Sequence, residues 1–284
     1  MLDCHVHIMN NDEPDPEALA LALSKADVTG AIIISPPPAS FTHLPAGPND
    51  AENRLSCLMN WCQNRIDWFP FFWIDPLESN VDDQIESAVL SGVAGFKIIL
   101  TQVGPEHPQI ERAAGLIAQT GRPILFHSGI LFDGHDSSRF NRPAGFEALL
   151  RIPRLRFALA HASWPWIDEC LAVYGKFCDA RKKNPARCSE LFLDLTPGTP
   201  KLYRDELFRK LFGIGYALTD HILFGTDNSA MPYDFSGTRQ KLSTDRQLLN
   251  QYWTADDPTG CQSAEEAWHA LSELNLRRFI QHEN

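Results

Sequence analysis

The sequence is organised as short apolar runs separated by amphipathic segments. Eight runs, rich in aliphatic and aromatic residues, recur at intervals of roughly 25 to 40 residues. Because the runs are almost continuously apolar rather than alternating, we expect both faces of each strand to be buried, as in a parallel sheet. The predicted strands are Leu2–Ile8, Thr29–Ser35, Trp68–Asp75, Ala94–Leu100, Pro123–Ser128, Arg156–His161, Leu191–Thr196 and Ile222–Thr226.

The segments between these runs carry helix-start signals. "DPEALALALSKA" offers Asp15 as an N-cap and Pro16 at the first helical position. "NDAENRLSCLMNWCQNR" begins with polar capping residues and places its apolar residues on one stripe. Further helices are predicted near Val81–Leu90, Gln109–Gln119, Pro143–Leu150, Pro165–Cys178 and Tyr203–Gly215.

Eight strands that are each followed by a helix favour a closed (β/α)8 TIM barrel, formed as a single domain over residues 1–284. A doubly wound open sheet is the main alternative, but no glycine-rich phosphate-binding pattern follows the first run. Two connections are long: "PPPASFTHLPAGPN" after the second strand, and the stretch from Asn228 to about Ser263, with a helix near Arg239–Tyr252. In a barrel, such loops cap the carboxyl end, where active sites are built.

Composition narrows the functional classes. Hydrophobic residues make up 44% of the chain and charged residues 21%, which is typical of a globular protein with a sizeable core. The net charge of −11 and the scattered lysines and arginines argue against a nucleic-acid partner. No apolar run approaches the length of about 18 residues that a membrane span needs, and the seven cysteines form no C-x-x-C pair. We therefore expect a cytoplasmic protein with no membrane partner, and a homodimer is compatible with the sequence.

The first predicted strand contains two histidines, in "DCHVHI". Side chains two residues apart on a strand point to the same face, so His5 and His7 lie with their Cβ atoms roughly 6.5 to 7 Å apart and can reach one metal ion. Cys4 and Val6 alternate with them and are expected to face the helices. The alternative, two solvent-facing polar residues, is disfavoured because this strand of a barrel has no solvent-facing side.

Other candidate ligands close later predicted strands. His127 ends "RPILFHSG", His161 ends "LRFALAHAS", and Asp227 follows "HILFGT". A lone histidine at a strand end is usually structural, but several at one rim of a barrel indicate a functional site. Imidazole and carboxylate together favour Zn2+, with Mn2+ or Fe2+ as the alternatives.

The order of these residues resembles the amidohydrolase superfamily: H-x-H on the first strand, histidines on the fifth and sixth, and "GTD" on the eighth. The closest resemblance is to the amidohydrolase-2 group, which includes aminocarboxymuconate semialdehyde decarboxylase, related aromatic acid decarboxylases and lactonases. It extends to "ELNLRRF" near the end of the chain. The resemblance implies that the metal ligands are His5, His7, His127 and Asp227, with Asp227 and His161 as the catalytic acid/base groups, although some members of the group bind substrate without a metal.

Lys97 leaves the number of ions open. It lies on the fourth predicted strand, in "AGFKIIL". The resemblance implies that in binuclear relatives a lysine on this strand is carboxylated and bridges two metals, in which case His161 binds the second ion. We favour one Zn2+ ion, with Lys97 as an ammonium that binds an anionic substrate group; a purely structural lysine is the alternative.

The favoured function is hydrolysis of an amide, lactone or ester bond of a small, carboxylated organic acid by metal-activated water. Decarboxylation of an aromatic or unsaturated acid is the first alternative, which the compact chain disfavours, and a catalytically inactive metal-dependent binding protein is the second. The expected substrate contacts are Lys97, Arg139 and Arg142 as anion-binding groups and Trp164 as apolar lining. Both arginines can equally be solvated loop charges. We expect Trp73 to add an aromatic wall.

Overall fold

The strands form one parallel sheet. The computed structural model describes residues 1–9, 15–41 and 51–281 of the 284. Within these ranges the strand order is β8, β7, β6, β5, β4, β3, β2, β1, β9, with every neighbouring pair parallel. The strands are Leu2–His7 (β1), Gly30–Ile34 (β2), Trp68–Trp73 (β3), Gly95–Ile98 (β4), Ile124–Phe126 (β5), Arg156–Leu159 (β6), Glu190–Asp194 (β7), Ile222–Leu223 (β8) and Asn228–Ser229 (β9).

The eighth predicted strand closes the barrel in two parts. β8 pairs with β7, whereas β9 pairs with β1. Between them, the backbone N–H of Cys4 donates to the carbonyl of Phe224 at 2.9 Å, and the N–H of Asp227 donates to the carbonyl of His5 at 2.9 Å. The strand is interrupted because Asp227 has a φ of 58°, which lies outside the extended region. The sheet is thus a closed (β/α)8 TIM barrel in a single domain.

Helices surround this barrel as the sequence predicts. The α-helices are Pro16–Lys25 (α1), Ala51–Cys62 (α2), Val81–Leu90 (α3), Pro108–Gln119 (α4), Ile167–Lys183 (α5), Lys201–Gly213 (α6), Phe235–Tyr252 (α7), Ala264–His269 (α8) and Asn275–Ile280 (α9). Shorter 3-10 segments cover Ser138–Asn141, Pro143–Arg151 and Pro185–Arg187, a turn with non-helical dihedral angles covers Ala160–Ser163, and a π-helix covers Ala270–Leu274. Asp15 caps α1 by accepting a hydrogen bond from the N–H of Ala18 at 2.9 Å, as predicted. None of the described helices has the length and apolarity that crossing a bilayer requires.

One prediction about local structure is wrong, and another concerns residues that lie mostly outside the described ranges. The helix predicted near Pro143–Leu150 is a 3-10 helix rather than an α-helix. Most of the long loop predicted after the second strand, including His43, lies outside the described residues. Its described start includes Phe41, whose ring centroid is 4.7 Å from that of Trp73.

A β-bulge in β1 changes which side chains face the barrel interior. Asp3 is paired with Ala31 and Val6 with Ile33, so β1 has one residue more than β2 over this stretch. Cys4 therefore packs in the barrel interior, while Val6 packs against the helices. The expectation that Cys4 faces the helices is wrong, because the bulge interrupts the alternation on which it rested.

A partly buried histidine lies at the amino end of the barrel, opposite the predicted site. His221 precedes β8, with its Nδ1 2.6 Å from Asp220 Oδ1 and its Nε2 3.0 Å from Glu190 Oε1. Burial acts to lower the pKa of His221, but the two carboxylate partners outweigh burial and raise it above the usual 6.5. The protonated imidazole therefore stabilises the folded barrel.

We expect the free energy of unfolding contributed by His221 to be fully present below about pH 6.5 and to be lost as the pH rises through its higher folded pKa. Urea unfolding at about pH 6 and pH 8.5 measures this difference in the wild type and in His221→Gln. The variant should show a smaller loss between the two pH values. An identical loss in both proteins would exclude His221 as its source.

Candidate metal centre and active site

A cavity opens at the carboxyl ends of the strands. It has a volume of about 410 Å³ and contains all the predicted strand-end residues. Its polar lining comes from strand ends and its apolar lining from neighbouring strands and loops. The lining residues are His5, His7, Met9, Phe41, Trp73, Lys97, Ile99, His127, Ile130, Leu131, Phe132, His161, Trp164, Pro197, Gly198, Asp227 and Ser229.

Three of these residues direct ligand atoms at one point. The Nε2 atoms of His5 and His7 are 3.0 Å apart, and Asp227 Oδ1 lies 3.5 Å from the first and 3.4 Å from the second. Ligand atoms bound about 2.0–2.2 Å from a tetrahedral Zn2+ lie roughly 3.4 Å from one another. The two imidazoles and the carboxylate therefore match the donor set and the spacing of a single divalent cation.

A buried carboxylate supports the turn that carries Asp227. Asp3 is fully buried and accepts hydrogen bonds from the N–H and hydroxyl of Thr226, at 3.0 and 2.6 Å, and from the hydroxyl of Tyr233 at 2.9 Å. It also accepts from the N–H of His5 at 3.1 Å. Burial raises the pKa of Asp3 to about 6, against the effect of these donors. Asp3 thus joins β1 to the turn at residues 226–227, a role that the sequence reading missed.

A second buried carboxylate contacts the Nδ1 side of the His5 imidazole, away from the cluster. Asp194, the last residue of β7, places its Oδ2 2.7 Å from His5 Nδ1, and neither side chain has appreciable exposure. The sequence reading also missed this residue. Asp194 could have been recognised in the sequence, because it is the single charged residue of the otherwise apolar run "LFLDL", at the carboxyl end of a buried strand.

His161 is held by an unusual backbone conformation. His161, Ala162 and Ser163 have φ values of 60°, 43° and 59°, in the left-handed region that is costly for residues other than glycine. Thr196 Oγ1 accepts a hydrogen bond from the N–H of His161 at 3.2 Å and lies 3.0 Å from its Nδ1. These contacts place the imidazole inside the cavity, with its ring centroid 5.6 Å from that of His5.

His127 lies beside this group but is not part of the close cluster. Its ring centroid is 5.0 Å from that of His161, and its buried Nε2 has no hydrogen-bond partner among the described residues. The group of ligand atoms that lie within 4.8 Å of one another comprises His5, His7 and Asp227, without His127. Ligation by His127 therefore remains a prediction.

Lys97 is a fully buried cation next to the histidines. Its Nζ lies 3.2 Å from His5 Nε2, and strand pairing sets it beside Trp73. Burial lowers the pKa of Lys97 to about 8. The predicted role of Lys97 as an anion-binding ammonium, and the alternative in which its amine is carboxylated, both remain untested.

Three imidazoles of the cavity, those of His5, His127 and His161, favour their neutral form. Burial lowers the pKa of His5 and of His127 well below 6.5, and it lowers that of His161 to about 4. Burial acts to raise the pKa of Asp227, but its imidazole neighbours, His5 first, outweigh burial and keep the pKa well below 3.8. Neutral imidazoles and an ionised carboxylate are the forms in which these residues bind metals.

The two arginines predicted to bind substrate lie outside the cavity lining. Arg139 pairs with Asp136 at 3.2 Å and stacks on Phe140, while Arg142 pairs with Glu169 at 2.5 Å and stacks on Trp166. This geometry gives no support to an anion-binding role for either one. Lys97 and Trp164, in contrast, line the cavity as expected.

The sequence matches a known family over most of its length. Residues 2–260 match the family described as Amidohydrolase, of the amidohydrolase-2 type. The chain belongs to the amidohydrolase family. It is an enzyme of this family, whose members are generally metal-dependent and include both hydrolases and decarboxylases. No curated protein matches the sequence.

Solved structures share the fold of this amidohydrolase at low sequence identity. A 2,6-dihydroxybenzoate decarboxylase from Rhizobium aligns with a TM-score of 0.61 and 15% identity, over 98% of this chain and 97% of its own. A probable 2-pyrone-4,6-dicarboxylic acid hydrolase from Acinetobacter baumannii, with citric acid bound, gives 0.57 and 10%, over 98% of each chain. A dihydroorotase from Campylobacter jejuni gives 0.55 and 16%, over 100% of this chain and 83% of its own. These likenesses confirm the TIM-barrel fold.

Gly198 leaves room for the imidazole of His161. A Cβ atom on Gly198 would lie 2.6 Å from His161 Cβ and 2.9 Å from its Cγ. We expect Gly198→Ala to lower the free energy of unfolding by about 1–3 kcal/mol, the usual cost of overpacking. Urea unfolding measures this change.

Gly115→Ala is the matched control, because a Cβ on this helical glycine would meet no atom within 4 Å. It should raise the free energy of unfolding by about 0.5–1 kcal/mol, as alanine does in a helix interior. Equal stability of the two variants would show that His161 moves aside without cost.

Proposed function

We propose that this amidohydrolase is a hydrolase that uses one Zn2+ ion to cleave an amide, lactone or ester bond of a small organic acid. The observation that carries the proposal is the convergence of His5 Nε2, His7 Nε2 and Asp227 Oδ1 at spacings of 3.0 to 3.5 Å. His127 is proposed as a further ligand, because its buried Nε2 beside the cluster makes no hydrogen bond within the described part of the chain. Mn2+ and Fe2+ fit the same donor types.

When bound, a divalent cation supplies Lewis acidity and lowers the pKa of water to about 7. Asp227, which is ionised and whose side chain is 39% exposed, is proposed to accept a proton from the attacking water. His161 is buried on another wall and is neutral at rest, so it is proposed to take up the proton that the attacking water releases and pass it to the leaving atom, or to donate its N–H to the developing oxyanion. The proposed acid, His161, and the proposed base, Asp227, thus follow different strands, β6 and β8.

The proposed substrate carries an anionic group that binds Lys97. This lysine is the cation of the described cavity lining, and most of the remaining wall is apolar. A buried ammonium gains most from a charge-assisted hydrogen bond to a carboxylate. Trp73 and Trp164 would then contact the apolar body of the substrate.

Decarboxylation of an aromatic or unsaturated acid is the second candidate. The apolar residues around Lys97 and Asp227, including Trp73, Phe41 and Ile99, would desolvate a substrate carboxylate, which favours loss of carbon dioxide. Chain length does not separate the two reactions, because a decarboxylase and a hydrolase both align over nearly all of this chain. A screen of lactones, amides, esters and carboxylated aromatics, with acid release and carbon dioxide measured together, distinguishes them.

We expect the purified protein to contain close to one equivalent of divalent metal, as measured by elemental analysis. His5→Gln and Asp227→Asn should lower this content, because each removes one of the convergent ligand atoms. His161→Ala is the matched control: it should retain the metal and lose at least about two orders of magnitude in rate, the scale of a removed acid/base group. Metal-free wild type that stays active in chelator would refute the metal centre.

We expect Lys97→Met to raise the KM of carboxylated substrates by roughly 10- to 100-fold, since a hydrogen bond to a charged group contributes about 1.5–3 kcal/mol. Neutral analogues should change much less. Arg139→Ala, whose guanidinium lies outside the cavity lining, should leave both values near those of the wild type. An equal rise for charged and neutral substrates would exclude Lys97 as the anion-binding group.

A further inference from the structure

The strand β7 contributes no ligand to the cluster, yet its last residue contacts one. Asp194 Oδ2 lies 2.7 Å from His5 Nδ1, and the two side chains are 0% and 1% exposed. On the other side of the same imidazole, Nε2 faces His7, Lys97 and Asp227. The proton on His5 therefore has two possible positions, and only one of them leaves Nε2 able to bind a cation.

The surroundings of Asp194 decide between these positions. Its Oδ1 accepts a hydrogen bond from the N–H of Thr196 at 2.6 Å. The hydroxyl of Thr196 and the thiol of Cys4 also hydrogen-bond to this carboxylate. Each of these groups donates a hydrogen bond, so the carboxylate of Asp194 acts as the acceptor in all of them. His5 Nδ1 then completes the set as a fourth donor, carrying the proton.

We propose that Asp194 is a positioning residue that holds the His5 proton on Nδ1, so that Nε2 presents its lone pair to the metal centre. A carboxylate behind a ligating histidine fixes the orientation of the ring and increases its basicity. Lys97 fits this arrangement, because its ammonium is a donor and lies 3.2 Å from Nε2. The inference rests on the proposed metal centre, but the proton position can be measured without metal.

Asp194→Asn is the sharpest variant because it keeps the shape of the side chain and changes one acceptor into a donor. If the amide oxygen remains toward the Thr196 N–H, the amide N–H2 faces His5 Nδ1 and forces the proton onto Nε2. If the amide is rotated by about 180°, its NH2 group faces the N–H of Thr196, and two hydrogen-bond donors then lie against each other. The same exchange of carboxylate for amide is known to leave a histidine in the wrong tautomer.

The first measurement is 15N NMR of the metal-free protein labelled at histidine, with the His5 signals assigned by their loss in His5→Gln. We expect the wild type to carry the His5 proton on Nδ1 and Asp194→Asn to carry it on Nε2. A wild-type His5 protonated on Nε2 would overturn the proposal, even if the variant failed to fold.

The second measurement is titration with Co2+, followed by its visible absorption. Asp194→Asn should bind Co2+ roughly 10- to 100-fold more weakly, the usual effect of losing such a partner. Glu190→Gln is the matched control, since Glu190 lies on the same strand and contacts His221 Nε2 at 3.0 Å, but at the opposite end of the barrel. Its Co2+ affinity should equal that of the wild type.

These outcomes separate the two proposals. Equal Co2+ affinity of Asp194→Asn and the wild type would overturn the positioning role. A wild type that carries the proton on Nδ1 but binds no Co2+ would overturn the metal centre and leave the contact of Asp194 with His5 as a purely structural one.

Discussion

The hydrogen bond from the backbone N–H of Asp227 to the carbonyl of His5 is the contact on which the structure depends. Together with the hydrogen bond from the N–H of Cys4 to the carbonyl of Phe224 and the pairing of β9 with β1, it joins the first strand to the last and closes the barrel. It also brings the side chain of Asp227 to the imidazoles of His5 and His7, which lie far from it in sequence. The contacts that close the barrel therefore also assemble the candidate metal centre.

Burial imposes the second constraint. The inner end of the cavity contains charged and polar groups with almost no exposure, and each of them needs a partner of opposite hydrogen-bonding character. Asp3 meets this need through Thr226 and Tyr233, and Asp194 through His5 and Thr196. Most of these partners lie in the connections that directly follow the strands, so the barrel and the loops at its carboxyl end fix the orientation of the histidines.

The sequence was sufficient for the fold and for the centre of the site. Continuous apolar runs predicted the strands, and H-x-H with the strand-end residues predicted the cluster that contains His5, His7 and Asp227. Asp3 and Asp194 were missed because their importance depends on pairing across the sheet and on the bulge in β1, which no linear pattern contains. Substrate binding by Arg139 and Arg142 stays a prediction: neither arginine lines the cavity, and each pairs with a carboxylate, that of Asp136 or Glu169.

The two-part closing strand also has a consequence for synthesis. Asp3 and Thr226, which contact each other in the closed barrel, are 223 positions apart. While the ribosome is still producing the chain, β1 has emerged with one open edge, and its partner on that side does not yet exist. An unpaired edge of this kind is prone to pairing with other chains. The free edge of β1 is thus an aggregation-prone site until the residues around Thr226 have been synthesised and have paired with it.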